Sequence, residues 1–381
     1  MGRDTTVRRV VVAPDKFKGS LSADQVADLV IDAVHVVSPG ATLVRHPIAD
    51  GGEGTVGVAL AAGFAPVHVE VGGPLGTRTG ATYAVRGEVA VLELSAAAGL
   101  AQLLVPPNVR TALESSTHGV GELIDAALDH GARRIVLGVG GSASTDGGAG
   151  LVRALGVRVL DVHGTEIAGG GAGLAAAAML DPSGLDPRVR RADLVVAADV
   201  DNPLTGPTGA AAVYAPQKGA DADAVHRLDE ALAHWADLVA ATSGADHRHV
   251  AGAGAAGGTA FAALALLGAR LARGVDVLAE LTGLDAELAD ADLVIVGEGS
   301  LDTQSLRGKG PVGIAARAHG VPVIAIAGRN LLTEDQWQSA GLSAVYALTD
   351  LEPRLDVCIR EAGPLLSTLA ERVAREWIYV Q

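Results

Sequence analysis

The chain has 381 residues, of which 49% are hydrophobic, 19% charged and 3% aromatic. This length and composition predict two globular domains with sizeable cores, and they exclude a disordered chain and a small disulfide-stabilised scaffold. The 44 Asp and Glu residues against 29 Lys and Arg give a formal net charge of −15, which argues against nucleic acid or an anionic membrane as a partner. The single cysteine, Cys358, excludes an intramolecular disulfide and suits a cytoplasmic location.

Short β-branched runs recur along the chain, each followed by a Gly- or Asp-rich turn and an Ala/Leu-rich stretch. They cover residues 9–13, 41–46, 134–139, 193–198, 292–296 and 321–326. This alternation predicts buried parallel strands with crossover helices, and ligands at the carboxyl ends of the strands. Three further segments, at 67–71, 80–86 and 88–94, alternate in polarity and predict short strands joined by Gly-containing turns.

These elements predict an α/β protein in which one domain interrupts another. A Rossmann-like (flavodoxin-like) domain with a parallel sheet is expected from residues 1–62 plus 289–381. A second α/β domain with a mixed sheet is expected from residues 63–288. The uncharged stretch 250–269 is too rich in Ala and Gly to span a bilayer, so it predicts a loop and a buried helix.

The first strand is followed by a loop with two lysines and then by a helix. Ser22, with Gln25 three residues later, predicts a capping box at the start of that helix. Lys16 and Lys18 precede the helix N-terminus, whose free N–H groups favour anions, so the loop would suit a phosphate or carboxylate. Two solvated lysines are the alternative interpretation.

The second strand leads into a glycine pattern that formally fits a dinucleotide fingerprint. Gly52, Gly54 and Gly57 satisfy G-x-G-x-x-G between a strand and a helix. Asp50 and Glu53, however, would repel a pyrophosphate unless a divalent cation lay between them. The pattern therefore favours metal or substrate-hydroxyl binding, with a solvated turn or a nicotinamide cofactor as alternatives.

A Gly-rich stretch at residues 137–150 connects another strand to a helix. Its glycines are interleaved with Ser142, Ser144, Thr145 and Asp146, so backbone N–H groups and hydroxyls could both reach a ligand. Tight packing of the helix against the strand is the alternative. The chain has no G-x-x-x-x-G-K-[ST], which excludes a Walker-type phosphate loop.

Four later features also carry candidate groups. Asp199 ends a buried strand, where a carboxylate is costly unless it is paired or functional, and it is the leading candidate for a general base. Lys218 follows Pro216, and it could bind an anion or belong to an ordinary surface turn. The glycines at 252–258 precede a long helix and could bind an anion or serve as an ordinary cap. The loop at 297–311 combines acids, hydroxyls and two cations, a mixture that suits metal-assisted phosphoryl transfer.

At these motifs the chain resembles the bacterial type I glycerate kinase family over nearly its whole length. Seven motifs occur in the family's order: residues 13–22, 47–55, 140–150, Asp199 with residues 202–204, residues 216–220, residues 252–258, and residues 297–309. The departures are small. Lys16 stands where the family usually has a small polar residue, which makes Lys18 the better site candidate, and Ala198 replaces a frequent Cys.

The resemblance implies ATP-dependent phosphorylation of D-glycerate, most readily on the 2-hydroxyl, with Mg²⁺. On that hypothesis the catalytic residues are Asp199, Lys18 and Lys309. The substrate-binding residues are Ser20, Asp50, Gly51, Gly52, Ser142, Asp146, Asn202 and Arg307. Nucleotide and phosphate would be bound by Gly140, Gly141, Lys218, Gly257, Gly258 and Ser305, and the metal by Glu53, Glu298 and Asp302.

Two other classes of function remain open at this point. A nicotinamide-dependent oxidoreductase of small hydroxy acids would use the fingerprint at 52–57 and be indifferent to Mg²⁺. A non-catalytic sugar-acid binding protein would be stabilised by its ligand without turning over ATP. The sequence also leaves open whether the chain acts alone or as a homodimer.

Overall fold

The computed structural model describes residues 9–308 and 310–378. Its strands, in chain order, are β1 Arg9–Pro14, β2 Thr42–Arg45, β3 Ala65–Gly72, β4 Arg78–Arg86, β5 Val89–Glu93, β6 Arg134–Gly138, β7 Arg158–Leu160, β8 Met179–Asp181, β9 Asp193–Ala197, β10 Arg270–Ala272, β11 Leu293–Leu301, β12 Val323–Asn330 and β13 Ala344–Ala347.

Its α-helices are α1 Ala23–Val37, α2 Thr55–Ala61, α3 Ser95–Ala98, α4 Val109–Glu114, α5 His118–Asp129, α6 Ala149–Ala154, α7 Ala210–Tyr214, α8 Ala222–Ser243, α9 Ala255–Leu267, α10 Gly274–Thr282, α11 Leu284–Ala289, α12 Gly310–Arg317, α13 Glu334–Ser339, α14 Leu355–Arg360 and α15 Ala362–Trp377. Short 3₁₀ helices include Pro216–Lys218 and Ser305–Arg307.

The chain forms two compact units. Unit 1 comprises Met1–Asp50 and Val275–Gln381, and unit 2 comprises Gly51–Gly274. Each unit has its own sheet and its own hydrophobic core. The domain boundaries expected from the sequence, after residue 62 and before residue 289, remain a prediction.

Unit 1 contains a parallel sheet with the strand order β13-β12-β11-β1-β2. The chain passes from β1 to its neighbour β2, and then builds β11, β12 and β13 outward on the other side of β1. This is the flavodoxin-like order, with its topological switch point between β1 and β11. In such sheets, ligands bind beyond the carboxyl ends of the strands at the switch point.

Both faces of the unit 1 sheet are covered by helices. Val10 and Val12 of β1 point into one core with α1 and α15, whereas Val11 and Ala13 point into another with α10, α11 and α12. Successive side chains of a strand face opposite sides, so both faces of this apolar strand are buried. The predicted capping box is confirmed, because Ser22 Oγ accepts from Gln25 N at 3.2 Å and Gln25 Oε1 accepts from Ser22 N at 2.9 Å.

Unit 2 contains a mixed sheet with the strand order β10-β9-β6-β5-β4-β3. The strands from β10 to β5 are parallel, and β4 and β3 add an antiparallel edge. A two-stranded ribbon, β7-β8, stands apart from this sheet. The predicted α/β class, with one parallel and one mixed sheet, is therefore confirmed.

The uncharged stretch at 250–269 forms a loop and the largely buried helix α9, as expected. In the residues that the structure describes, no helix has the length and apolar character needed to cross a membrane. Helix α9 begins with three consecutive residues of positive φ: Ala256 at 51°, Gly257 at 66° and Gly258 at 89°. Gly257 lies directly against the loop that follows β6, because a Cβ built on it would lie 2.2 Å from the carbonyl oxygen of Ser144.

We expect Gly257→Ala to destabilise unit 2 strongly. The left-handed backbone alone costs a side chain about 1–2 kcal/mol, and the clash with Ser144 adds about 1–3 kcal/mol because backbone must move. Gly244→Ala is the matched control, since Gly244 has φ +81° but nothing within 4 Å of the added Cβ. Urea unfolding measures both losses, and equal losses would show that the close approach to Ser144 carries no energetic weight.

Candidate active site

In unit 1, carboxylates gather at the carboxyl ends of β1, β2 and β11. Asp15 follows β1, Asp50 lies beyond β2, Glu298 lies in β11 and Asp302 follows β11. Burial raises the pKa of Glu298 to about 8, and the negative charges of Asp15, Asp302 and Asp50 act in the same direction. The hydroxyl of Ser305 opposes the shift by donating to Glu298 Oε1 at 2.6 Å.

This donor set fits Mg²⁺, which the family resemblance implies. Mg²⁺ usually keeps several waters and binds one or two protein carboxylates together with substrate phosphates. In the described parts of the chain, no three His, Cys, Asp or Glu side chains converge on a ready-made metal site. Glu298 and Asp302 could nevertheless hold a hydrated ion, whose charge would offset the repulsion that raises the pKa of Glu298.

The loop between β1 and α1 is held by its own backbone. Phe17 and Leu21 pair in both directions, and the hydroxyl of Ser20 donates to the Phe17 carbonyl at 3.1 Å. Phe17 is buried, whereas the side chain of Lys18 is exposed and Lys16 is half-buried. The loop thus presents Lys18 to solvent, while Ser20 already bonds within the loop.

Two predicted cations of unit 1, Lys309 and Arg307, lie wholly or partly outside the described residues. Lys309 lies outside the described residues, and so does the side chain of Arg307, whose backbone ends the 3₁₀ helix Ser305–Arg307. Arg329, which was not among the predicted site residues, lies near the end of β12, and its Nε donates to Ser300 Oγ of β11 at 2.9 Å. Its position at the carboxyl end of a buried strand is the same signal that pointed to Asp199.

In unit 2, a turn at residues 51–54 packs on the loop that follows β6. A Cβ on Gly140 would lie 2.4 Å from Gly52 Cα, so the two backbones touch and no side chain fits between them. Beside this contact, the carboxylate of Glu53 lies against Gly141 and is exposed. The predicted groups Gly51, Gly52, Glu53, Gly140 and Gly141 therefore come together in one place.

Helix α2, which follows this turn, has its N-terminus occupied by a carboxylate. Glu93 Oε1, at the end of β5, accepts from Gly54 N at 3.0 Å and from Val56 N at 2.7 Å. In a dinucleotide site, these are the donors that bind the pyrophosphate. The helix N-terminus that the fingerprint at 52–57 would offer to a pyrophosphate is thus occupied by a carboxylate of the chain itself. Glu93 was missed in the sequence, although a carboxylate ending an apolar strand was the signal used for Asp199.

Asp146 is a buried carboxylate whose oxygens accept hydrogen bonds from within unit 2. It accepts from Thr117 N at 2.8 Å, from the Thr117 hydroxyl at 2.9 Å, and from the amides of Gly148 at 3.1 Å and Gly150 at 3.2 Å. These bonds fix the turn between β6 and α6. Ser142 is also nearly buried and pairs with Gly99 in an isolated bridge.

Asp199 and Asn202 lie in the loop beyond the carboxyl end of β9. Asp199 Oδ1 accepts from Gly274 N at 3.1 Å. The Asn202 side chain donates to the Thr208 carbonyl at 2.8 Å and accepts from the Tyr214 hydroxyl at 2.6 Å, so it shapes the loop. Tyr214 was not identified from the sequence, because a lone tyrosine in a short helix carries no motif.

Lys218 is fully buried, with 1% of its surface exposed. Its ammonium donates to the Ser144 carbonyl at 2.5 Å and lies 3.5 Å from Thr145 Oγ1. Gly257 contacts the same residue, Ser144, and Gly258 lies against Gly147. The structure thus brings Lys218, Gly257 and Gly258 to the loop after β6, and direct contact of Lys218 with a phosphate remains a prediction.

Comparisons with known proteins agree with the motifs. A sequence model of the glycerate kinase family matches residues 10–378. A protein named glycerate kinase from Bacillus subtilis (strain 168) is 43% identical over 371 residues, covering 96% of this chain and 97% of that protein. A protein named glycerate 2-kinase from Escherichia coli (strain K12) is 42% identical over 373 residues, again covering 96% and 97%.

A solved structure gives the same result. The crystal structure provisionally named glycerate kinase 2 from Salmonella typhimurium LT2 is 43% identical, covers 97% of this chain and 98% of its own, and superposes with a TM-score of 0.83. None of these relatives supports an oxidoreductase or a non-catalytic binding protein. The chain belongs to the glycerate kinase family and is an enzyme of the kinase class.

Proposed function

We propose that this enzyme transfers the γ-phosphoryl group of MgATP to the 2-hydroxyl of D-glycerate, giving 2-phosphoglycerate and ADP. The observation that carries the proposal is the 42% identity, over nearly the whole chain, with the Escherichia coli protein named glycerate 2-kinase. The site supports it, because each unit gathers polar groups of the required kinds at the carboxyl ends of its parallel strands.

The reaction needs a group that accepts the proton of the attacking hydroxyl. Asp199 suits that role, since it lies beyond the end of β9 and its Oδ1 is oriented by the Gly274 amide. The hydroxyl oxygen attacks the γ-phosphorus, the proton passes to the Asp199 carboxylate, and the bond to the ADP oxygen breaks. Because phosphoryl transfer needs little covalent chemistry from the protein, positioning and charge stabilisation carry most of the rate.

Glycerate and ATP are both anionic, so the site must also supply cations and N–H donors. Lys18 is an exposed cation, and Arg329 lies at the end of β12. In the loop of residues 139–148, Gly141 is exposed and is where the backbone would meet a ligand, because the amides of Ala143, Gly147 and Gly148 already donate within the protein. Lys309 also stays a candidate for contact with the transferred phosphate. Mg²⁺ bound with ATP would neutralise phosphate charge, and Glu298 and Asp302 of unit 1 are the proposed residues for holding it. Glu53, in unit 2, stays a separate candidate for a metal ligand.

Release of ADP from MgATP on addition of D-glycerate tests the proposal, with ³¹P NMR of the product in the same tube. We expect glycerate-dependent turnover and the signal of 2-phosphoglycerate. A 3-phosphoglycerate signal would keep the kinase and overturn the position of transfer. A folded enzyme that turns over with neither glycerate nor other small hydroxy acids would overturn the proposed reaction.

We expect Asp199→Asn to lower kcat by about 10²–10⁴-fold, the contribution of a general base to such a step. An amide cannot accept the hydroxyl proton, whereas it can still accept from the Gly274 amide. Steady-state kinetics measure the loss, and Asp201→Asn, two residues along the same loop, is the control expected to change kcat by less than about threefold. A near-normal kcat for folded Asp199→Asn would remove Asp199 from the role of base.

We expect Glu298→Gln to stabilise unit 1 at alkaline pH. The pKa of Glu298 is raised in the folded state, to about 8 from an ordinary 4.5, so the folded protein binds this proton more tightly than the unfolded chain. The stability that Glu298 contributes is therefore complete below pH 4.5 and is lost as the pH rises through 8. Glutamine never ionises and keeps its hydrogen bond with Ser305.

Denaturant unfolding at pH 5 and pH 9 measures this effect. We expect the variant to exceed the wild type by roughly 2–4 kcal/mol at pH 9 and by little at pH 5. Magnesium chloride should narrow the gap at pH 9 by stabilising the ionised wild type. Glu334→Gln, at an exposed glutamate of the same unit, is the control. An equal difference at both pH values would exclude a raised pKa at Glu298.

A further inference from the structure

Lys218 is a cation that is enclosed by protein rather than presented to a ligand. It ends the 3₁₀ helix Pro216–Lys218, and 1% of its surface is exposed. The residues that its ammonium approaches, Ser144 and Thr145, are fully buried as well. The ammonium therefore acts first on the loop of residues 139–148, whose Ser144 carbonyl it contacts.

The loop is anchored at both ends by other contacts. Ala143 N donates to the Ala98 carbonyl at 2.8 Å, and Gly147 N donates to the Gly257 carbonyl at 2.9 Å. On the far side, Trp235 Nε1 donates to the Gly147 carbonyl at 3.0 Å. Between these anchors, the Lys218 ammonium is the donor that holds the Ser144 carbonyl. Lys218 therefore restrains the middle of the loop.

Burying a lysine in this way is expensive for the fold. Burial lowers the pKa of Lys218 to about 7, and the nearby charge of Asp146 offsets only part of that effect. An unbranched apolar side chain would fill the same space without the desolvation cost. A chain selected for stability alone would gain from that change, so the ammonium has a use other than stability.

We propose that Lys218 is a positioning residue for phosphoryl transfer, which orients the Ser144–Thr145 segment of the 139–148 loop without touching either substrate. The inference rests on the proposed function, and it replaces direct phosphate contact by an action through the backbone. Removing the ammonium leaves the Ser144 carbonyl without this donor, and the exposed part of the loop at Gly141 loses the buried support that fixes its orientation toward a ligand.

Lys218→Met tests the inference, because it keeps an unbranched side chain, one atom shorter than lysine, and removes the charged donor. We expect kcat/KM to fall by about 10–100-fold, as is common for groups that orient ligand-binding groups. The unfolding midpoint at pH 7 should stay equal or rise. Lys218 contributes stability above pH 10.5 that is lost as the pH falls through about 7, so the variant should also lose the gain that the wild type shows between pH 7 and 10.5.

Trp235→Phe is the matched control. It removes a neutral donor from the same loop, at Gly147, and it leaves a buried carbonyl without a partner. We expect the opposite pattern, a lower unfolding midpoint with kcat/KM within about threefold of the wild type. If kcat/KM and the unfolding midpoint changed together in both variants, Lys218 would have only a structural role, and the inference would be overturned.

Amine acetylation of the wild type separates positioning from direct contact and needs no variant. The sequence has four lysines, Lys16, Lys18, Lys218 and Lys309, so peptide mass spectrometry can follow each one. We expect Lys218 to be modified less than a tenth as fast as the exposed Lys18, with or without MgATP and glycerate. Rapid modification of free enzyme at Lys218, with protection by MgATP, would overturn the inference in favour of phosphate contact.

The failure of the inference is distinguishable from the failure of the proposed function. Wild-type turnover of glycerate is the reference measurement, and its absence would remove both. If the wild type turns over glycerate and Lys218→Met is fully active, only the proposed role of Lys218 would be overturned.

Discussion

The loop after β6 lies so close to two other backbone segments that no side chain fits between them. Gly140 lies against Gly52, and Gly257 lies against the Ser144 carbonyl. This contact explains why the motifs are rich in glycine, since only glycine combines left-handed backbone with zero side-chain volume. It also limits how the loop can meet a ligand, because Ser144 and Thr145 are fully buried and the amides of Ala143, Gly147 and Gly148 already donate within the protein. The exposed Gly141 is the part of the loop that a ligand could reach.

The net charge of the protein also restricts how it can bind its substrates. With a net charge of −15, the protein as a whole repels its anionic substrates, so local groups must reverse the potential. The four lysines all lie in the loops predicted to bind ligands, which leaves arginine to form most of the surface ion pairs. Around Glu298 the potential is negative: burial raises the pKa of Glu298 to about 8, and the charges of the neighbouring carboxylates act in the same direction. The proposed divalent cation would offset that conflict, because the acids would attract it and it would in turn attract phosphates.

The sequence predicted most of the fold because buried parallel strands leave a clear apolar signal. The structure has strands at the predicted β-branched runs: β1, β6, β9, β11 and β12 correspond to the runs at 9–13, 134–139, 193–198, 292–296 and 321–326. The strands β7, β8 and β10 have three residues each and β13 has four, too few for any periodicity to show. The capping box at Ser22 was predictable because its residues are neighbours in the chain.

The site was predictable as a set of loops but not as a set of contacts. Glu93 ends β5 and Asp199 lies two residues beyond the end of β9, yet only Asp199 was recognised, because it is followed by a polar loop and Glu93 by a small apolar helix. Lys218 follows a proline and has the local pattern of a surface turn, whereas tertiary packing encloses it completely. Burial by distant segments leaves no local trace in a sequence, so the role of a residue such as Lys218 becomes visible only in the fold.

The glycine fingerprint at residues 52–57 shows how charge discriminates between sites with the same backbone pattern. Glycine spacing reports that a turn is tight and that a helix begins there, and both are true of α2. It does not report which anion meets the helix N-terminus. Here the anion is the chain's own Glu93, bonded to the amides of Gly54 and Val56. The acids at Asp50 and Glu53 carried the distinguishing signal in the sequence, since a turn that must accept a pyrophosphate has no reason to place two carboxylates beside it.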